Sequence, residues 1–135
     1  MNGKEIFVDT NIILYLLNGS NDLENFLQGK DIYISFITEL EPISFKGITE
    51  QQENQITELL NDCSIVQMNK LIKEKYIELR RKYRLKLADA IIAASSIAFD
   101  MPLITADKDF KNISNLKKLI TYRPKGIKLA DRQKD

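Results

Sequence analysis

Four acidic residues lie at the ends of apolar segments of the chain. Asp9, Glu41 and Asp107 each follow such a segment closely, and Asp89 opens an alanine-rich one. If the four carboxylates converged, each close pair would repel by roughly 4 kcal/mol at an effective dielectric of about 20. A divalent cation relieves such repulsion, and a cation held by carboxylates can promote phosphodiester hydrolysis. The pattern therefore favours a metal-dependent enzyme that acts on phosphodiesters.

The chain contains no histidine and one cysteine, Cys63. The absence of histidine excludes a Ser-His-Asp triad, a Cys-His pair and an imidazole general base. The same composition argues against zinc, which prefers cysteine and histidine ligands. Hydrolytic chemistry would have to come from carboxylates, lysines or hydroxyl groups, and carboxylate oxygens suit Mg²⁺ or Mn²⁺ better than a soft metal.

The overall composition is that of an ordinary globular domain. Of 135 residues, 44% are hydrophobic and 29% are charged, and the net charge of +1 gives no preference for or against nucleic acid. The apolar run 12–17 is too short to span a bilayer, and the first residues lead directly into a strand. A single cysteine cannot form an internal disulfide. We expect a cytoplasmic protein that has no membrane segment.

Short apolar segments alternate with segments of helical spacing along the whole chain. This alternation predicts an α/β fold with a central parallel sheet and helices on both faces. The predicted strands are 6–8, 32–37, 64–68, 102–105 and 119–122. The predicted helices are 12–17 capped by Thr10 and Asn11, 23–27, one carrying Glu39 and Glu41 capped by Thr38, one opened by a capping box of Thr49 and Gln52, 71–83, and 87–99.

The predicted topology places the acids together. In an open parallel sheet, ligands bind beyond the carboxyl ends of the strands, and Asp9, Glu41 and Asp107 all follow strands. Asp89 begins a helix whose N-terminus points towards the same edge. Taken singly, each acid could serve only as a helix cap or as a partner of the helix dipole. All four together predict a shared site.

Four segments carry a resemblance to a known family. They are Val8-Asp9-Thr10-Asn11, Ser35-Phe36-Ile37-Thr38-Glu39-Leu40-Glu41, Leu87-Ala88-Asp89-Ala90-Ile91-Ile92-Ala93-Ala94 and Leu103-Ile104-Thr105-Ala106-Asp107-Lys108-Asp109-Phe110. In this order they resemble the motifs of the PIN domain, and more closely those of the VapC-type ribonuclease toxins of bacterial toxin–antitoxin pairs. The resemblance covers roughly residues 5–122. It implies a three-layer α/β/α sandwich with a central parallel sheet of four or five strands, formed by residues 1–122. The polar and charged composition of residues 123–135 predicts a mobile tail.

The resemblance also implies an activity, which is endoribonuclease cleavage with Mg²⁺ or Mn²⁺ as cofactor. Direct attack by a metal-activated water would leave a 5′-phosphate and a 3′-hydroxyl. The partners implied are an RNA substrate, a cognate antitoxin protein and a second copy in a homodimer. The catalytic residues implied are Asp9, Glu41, Asp89 and Asp107, of which Asp9, Asp89 and Asp107 would ligate the metal, with Asn11, Thr105 and Asp109 in supporting positions.

The second acid needs a choice between Glu39 and Glu41. The family pattern Ser-x-x-Thr-x-x-Glu selects Glu41, which lies three residues after Thr38. Pro42 departs from the family, in which a leucine usually follows the glutamate, and it could shift the end of the helix. This position is therefore the least secure of the four.

Eight basic residues lie between positions 70 and 86, directly before Asp89. A phosphate-tracking surface beside the metal site is the functional interpretation, with Arg84 and Lys86 nearest the substrate. A solvated helix face explains any single one of them equally well. They are Lys70, Lys73, Lys75, Arg80, Arg81, Lys82, Arg84 and Lys86, against Glu74 and Glu78.

Three alternatives compete with the nuclease. A haloacid-dehalogenase-like phosphatase needs a second acid two residues after the first, where this chain has Asn11. A receiver domain needs an acidic pair near its start, which the residues around Asp9 do not supply. A catalytically inert binding module with the PIN fold is the main non-enzyme alternative, and the presence of all four acids argues against it. The identity of the RNA stays open.

Overall fold

The centre of the fold is a six-stranded sheet. The structure is a computed structural model that describes residues 3–116, 118–123 and 126–129. The last four are described by their backbone alone. The strands are β1 (Glu5–Val8), β2 (Asp31–Ser35), β3 (Ser64–Val66), β4 (Leu103–Thr105), β5 (Leu119–Arg123) and β6 (Gly126–Leu129). The helices are α1 (Thr10–Leu17), α2 (Asn21–Leu27), α3 (Phe36–Leu40), α4 (Glu50–Asn61), α5 (Lys70–Lys82) and α6 (Leu87–Phe99). Short 3₁₀ helices follow α3 at Pro42–Ser44 and β4 at Lys108–Asn112.

The spatial order of the strands is β3-β2-β1-β4-β5-β6. The first five run parallel, and β6 pairs antiparallel with β5. The chain builds outward from β1 to β3 and then returns to the other side of β1 with β4. This reversal leaves a crevice beyond the carboxyl ends of β1 and β4, where ligands bind in folds of this kind. A receiver domain has the order 2-1-3-4-5, so the observed order excludes that alternative.

Two apolar layers cover the two faces of the sheet. Phe7 and Leu103 pack with α5 and α6 on one face. Val8 and Ile104 pack with α1, α2 and α4 on the other. Consecutive apolar residues in β1 and β4 are thus explained, because a parallel strand covered by helices is buried on both faces. The predicted α/β/α sandwich with a parallel sheet is confirmed.

Helix α6 places Asp89 at the crevice. Its small residues Ala90, Ala93 and Ala94 are buried, which lets the helix axis lie close to the sheet. The helix ends at Asp100, whose left-handed backbone (φ 53°) ends the hydrogen-bond ladder as a C-terminal cap does. Because α6 runs opposite to the strands, its first turn lies at their carboxyl ends.

The structure corrects the start of α3. The predicted strand 32–37 ends at Ser35, whose hydroxyl accepts a hydrogen bond from the backbone N–H of Ile37 and caps α3. Thr38 is therefore a buried residue inside the helix, and its predicted capping role is wrong. Phe36 and Ile37 favour strands by propensity, but the cap at Ser35 prevails.

The cap of α1 also differs from the prediction. Asp9 precedes the helix and its side chain accepts from the N–H of Thr10, so the assignment of the cap to Thr10 and Asn11 is wrong. Other predicted boundaries agree within a few residues. The capping box of Thr49 and Gln52 at the start of α4 is confirmed by both of its hydrogen bonds.

The expected tail over 123–135 is corrected in part. Arg123 belongs to β5, and Gly126–Leu129 forms the edge strand β6. The segment is short and contains a lysine, as edge strands commonly do. Residues 124–125 and 130–135 lie outside the described part of the chain. None of the described helices is long and apolar enough to cross a membrane.

Candidate active site

The crevice beyond β1 and β4 holds a cavity of about 350 Å³, which we call the acidic cavity. All four predicted acids line it: Asp9, Glu41, Asp89 and Asp107. They arrive from four separate segments, namely the end of β1, the end of α3, the first turn of α6 and the loop after β4. Polar Asn11 and Lys86 also line the cavity, as do Thr10 and the apolar residues Leu14, Pro42 and Phe45.

Asp9 is the most buried of the acids, with 3% of its surface exposed. One carboxylate oxygen accepts from the backbone N–H of Thr10 at 2.8 Å, and the other accepts from the hydroxyl of Thr105 at 2.5 Å. Burial raises the pKa of Asp9 to about 6, although the hydrogen bonds from Thr105 and Thr10 oppose that shift. The negative charges of Asp107 and Glu41 raise this pKa further.

Asp107 is tied to the same group through Thr105. The hydroxyl of Thr105 accepts from the backbone N–H of Asp107 at 3.0 Å, so this hydroxyl links two of the acids. Asp107 in turn accepts from the N–H of Asp109 at 2.9 Å and caps the following 3₁₀ helix. Asp109 itself is exposed and does not line the cavity.

Asp89 faces the cavity from α6 and is half-buried. Burial is the main cause that raises its pKa to about 6, and the charges of Asp9, Asp107 and Asp109 add to it. Lys86 lowers the pKa, but it is the sole cation among the described lining residues and is exposed. The cavity therefore carries more negative charge than its own residues neutralise.

Glu41 is held by a threonine from another helix. Its carboxylate accepts from the hydroxyl of Thr10 at 3.2 Å, and that hydroxyl also shares a hydrogen bond of 2.8 Å with Thr38. Glu39 is not among the lining residues, so the choice of Glu41 agrees with the geometry. Pro42 begins a 3₁₀ helix directly after Glu41 and leaves the acid at the cavity.

The acids share a cavity without meeting at one point. Among the residues that the structure describes, no group of three or more acidic or cysteine side chains is arranged so that it could hold a metal ion. The donor set still suits Mg²⁺ or Mn²⁺ in its chemistry, because every candidate ligand is a carboxylate oxygen. Glu41 is exposed and Asp89 is half-buried, so both side chains have room to rotate.

The basic segment contributes less to the cavity than expected. Lys86 lines it, whereas Arg84 is exposed and does not. On α5, Arg80 donates to the hydroxyl of Tyr76, and Lys75 lies 3.8 Å from a carboxylate oxygen of Glu78. These contacts agree with the interpretation of α5 as a solvated helix face.

Sequence reasoning overlooked two threonine roles and one aromatic residue. The sequence pattern predicts that Thr10 and Thr38 are helix caps, whereas in the structure their hydroxyls share a hydrogen bond. Both residues belong to the motifs that carry the acids. Phe45 lines the cavity, and no local pattern singled it out. Pairings between residues 28 positions apart leave no trace in local spacing.

The chain matches the family model described as PIN domain over residues 6–116. A comparison with curated protein sequences found no match to this chain. A chain of the toxin–antitoxin complex from Klebsiella pneumoniae is 31% identical, with a TM-score of 0.71, over 88% of this chain and 97% of that one. A chain of VapBC2 from Rickettsia felis, bound to a promoter DNA fragment, is 26% identical, with a TM-score of 0.78, over 88% of this chain and 99% of that one.

DNA-bound VapBC from Salmonella typhimurium has the same fold, with a TM-score of 0.77 at 14% identity over 87% of this chain and 97% of that one. The family match covers most of the chain, which therefore belongs to the PIN domain family. Within this family, the matches to VapBC structures make it a PIN domain of the VapC type, a group of toxin–antitoxin nucleases.

Proposed function

We propose that this protein is a Mg²⁺- or Mn²⁺-dependent endoribonuclease and the toxin of a toxin–antitoxin pair. The observation that carries the proposal is the acidic cavity, in which four carboxylates from four segments line the crevice where the strand order of a PIN fold reverses. Burial and mutual repulsion raise the pKa of both Asp9 and Asp89 to about 6. A protein keeps such costly groups where function needs them.

Asp9, Asp89 and Asp107 would hold the cation. When bound, the ion would lower the pKa of a water molecule and polarise the scissile phosphate. The charge of the ion would also offset the repulsion between the carboxylates that line the acidic cavity. The donor chemistry fits this use, and the half-buried Asp89 on α6 would complete the ligand set with Asp9 and Asp107.

The remaining lining residues have separate roles in the proposal. Glu41 orients the attacking water and accepts its proton, while the hydroxyl of Thr10 holds the Glu41 carboxylate. Lys86 binds a phosphate oxygen of the substrate at the mouth of the cavity. Attack by water on the phosphorus breaks its bond to the 3′-oxygen, which takes a proton from solvent. One product then ends in a 5′-phosphate and the other in a 3′-hydroxyl.

The proposed partners are RNA, a cognate antitoxin and a second copy of the chain. The antitoxin proposal is supported by the similar structures from Klebsiella pneumoniae and Rickettsia felis, which are toxin–antitoxin assemblies. The homodimer and a cytoplasmic location are proposed from the resemblance of the motifs and from the single cysteine. A neighbouring reading frame that encodes the antitoxin is expected to relieve growth arrest when this chain is expressed.

Asp9→Asn and Asp89→Asn are expected to lower the rate of RNA cleavage at least about a thousandfold, because each removes a ligand charge from the cation. Cleavage of single-stranded RNA is measured with Mn²⁺ and with a chelator, and product ends are mapped. Asp62→Asn is the matched control, since Asp62 is an exposed acid at the end of α4. It should cut at the parental rate.

Circular dichroism must show that the variants stay folded. If either site variant cuts RNA as fast as the parent, the metal assignment is wrong. If the folded parent cuts no RNA with either cation, the inert binding module with a PIN fold becomes the better interpretation.

A further inference from the structure

A second cavity of about 420 Å³ lies beside the acidic cavity, and we call it the neighbouring cavity. The two share Leu14, Pro42 and Phe45 as lining residues, so they form one continuous depression. A volume of this size lies within the range of about 300–1,000 Å³ that small-molecule sites occupy. A strand whose phosphate entered the acidic cavity would extend into this space.

The two cavities differ in their charge. No acid is among the described lining residues of the neighbouring cavity, which is mainly apolar and also has Lys46 and the amide side chains of Asn18, Gln52 and Gln55. Glu50 and Glu53 on α4 lie outside the lining. The neighbouring cavity therefore has a lysine for a phosphate and amides that can both donate and accept hydrogen bonds.

Phe45 stands on the boundary between the two cavities. It is 68% exposed, the largest exposure of any large hydrophobic side chain in the described part of the chain. When a flat apolar partner covers an aromatic ring, apolar surface leaves the water and the free energy falls. In proteins that bind single-stranded nucleic acid, that partner is a base, and stacking tolerates any base because each has a π-face.

We propose that the neighbouring cavity is a nucleobase subsite for the RNA strand. Phe45 stacks on the base next to the scissile phosphodiester, Lys46 contacts a flanking phosphate, and Gln55 meets the edge of the base. This inference rests on the proposed function, because the acidic cavity must receive the phosphate. The lysine and the absence of acid suit a polyanionic strand as the occupant.

The test measures binding of a fluorescein-labelled single-stranded RNA octamer by anisotropy. The Asp89→Asn variant serves as the background, so that the RNA is not cut during the measurement. Adding Phe45→Ala is expected to weaken binding about tenfold, and Phe45→Trp should bind at least as tightly as the background. Phe99→Ala is the matched control, since Phe99 is an exposed aromatic residue at the far end of α6, and it should leave binding unchanged.

An abasic octamer separates stacking from charge, because it keeps the phosphates and lacks the bases. It should bind the background variant about tenfold more weakly than the RNA, and Phe45→Ala should weaken it no further. Equal losses on both octamers would overturn the stacking proposal. Unchanged RNA binding by Phe45→Ala would also overturn it. If that variant kept its RNA binding and lost a co-purified protein partner, the cavity would be a site for that protein and not for a base.

The same experiment keeps two failures apart. Cleavage by the unsubstituted parent reports on the proposed nuclease activity alone. Binding in the Asp89→Asn background reports on the subsite whether or not the parent cuts.

Discussion

The acidic cavity has two unlike sides. The sheet side consists of Asp9, Thr105 and Asp107, which follow β1 and β4 and are joined by hydrogen bonds through the Thr105 hydroxyl. The helix side consists of Glu41 and Asp89, carried by α3 and α6. Among the described residues, its carboxylates have one side-chain hydrogen bond, from Thr10 to Glu41.

In the described part of the chain, the four acids share a cavity without forming a metal site, and the two sides hold their carboxylates differently. Residues on the sheet side are oriented by backbone N–H groups and a buried hydroxyl, so their geometry is set before any ligand arrives. Residues on the helix side face water and can rotate. Three substitutions or conditions test this comparison.

Thr105→Val should have the largest effect. It leaves a buried oxygen of Asp9 and the N–H of Asp107 without their partner, so the free energy of unfolding should fall by about 2–4 kcal/mol. RNA cleavage should fall about a hundredfold, because both acids lose their orientation. Urea denaturation and initial cleavage rates check this, and Thr105→Ser, which keeps the hydroxyl, should stay near the parent. An unchanged urea midpoint for the valine variant would show that the sheet side is not held by this hydroxyl.

The second-largest effect should be in the pH dependence of the free energy of unfolding, to which the sheet side and the helix side should contribute unequally. The folded-state pKa values of Asp9 and Asp89 are about 6, above the ordinary value of 3.8, so the native state binds protons that the unfolded chain releases between these values. Without a divalent cation, the free energy of unfolding should therefore rise as the pH falls from 7 towards 4.5.

The expected gain from Asp9 is about 2 kcal/mol, since it is almost fully buried, and Asp89 should contribute less because it is half-exposed. Thermal unfolding in a chelator across this pH range measures the gain. Asp9→Asn should flatten the profile more than Asp89→Asn. At pH 7, Mn²⁺ should raise the Tm of the parent and have little effect on Asp9→Asn. A flat parental profile would contradict the raised pKa values.

Thr10→Val should have the smallest effect. The Thr10 hydroxyl holds Glu41 and contacts Thr38, so its loss frees the helix side without disturbing the sheet side. We expect kcat to fall about tenfold with KM little changed, and stability to fall by about 1 kcal/mol. Steady-state kinetics test this, with Thr10→Ser restoring the rate and Glu39→Gln as a control outside the cavity. Equal rates for the valine and serine variants would remove Thr10 from the mechanism.

Local patterns predicted much of the fold because burial on both faces leaves a direct mark on the sequence. Apolar residues at consecutive positions marked β1 and β4, and alanines marked the close packing of α6. The start of α3 was missed, because one capping hydroxyl at Ser35 outweighed the strand propensity of the next two residues. The edge strand β6 was missed because it is defined by its pairing with β5, which the local pattern does not show.

The amino-acid sequence by itself determined the kinds of groups available for chemistry: carboxylates without histidine, each at the end of a buried segment. It also determined the alternation of predicted strands and helices, since apolar periodicity and helix caps can be read from residues close together in the chain. Tertiary structure alone decided that Thr10 reaches Glu41, that Arg84 stays outside the acidic cavity and that Phe45 borders two cavities. These relations depend on distances between segments tens of residues apart, which only the packing of helices on the sheet sets.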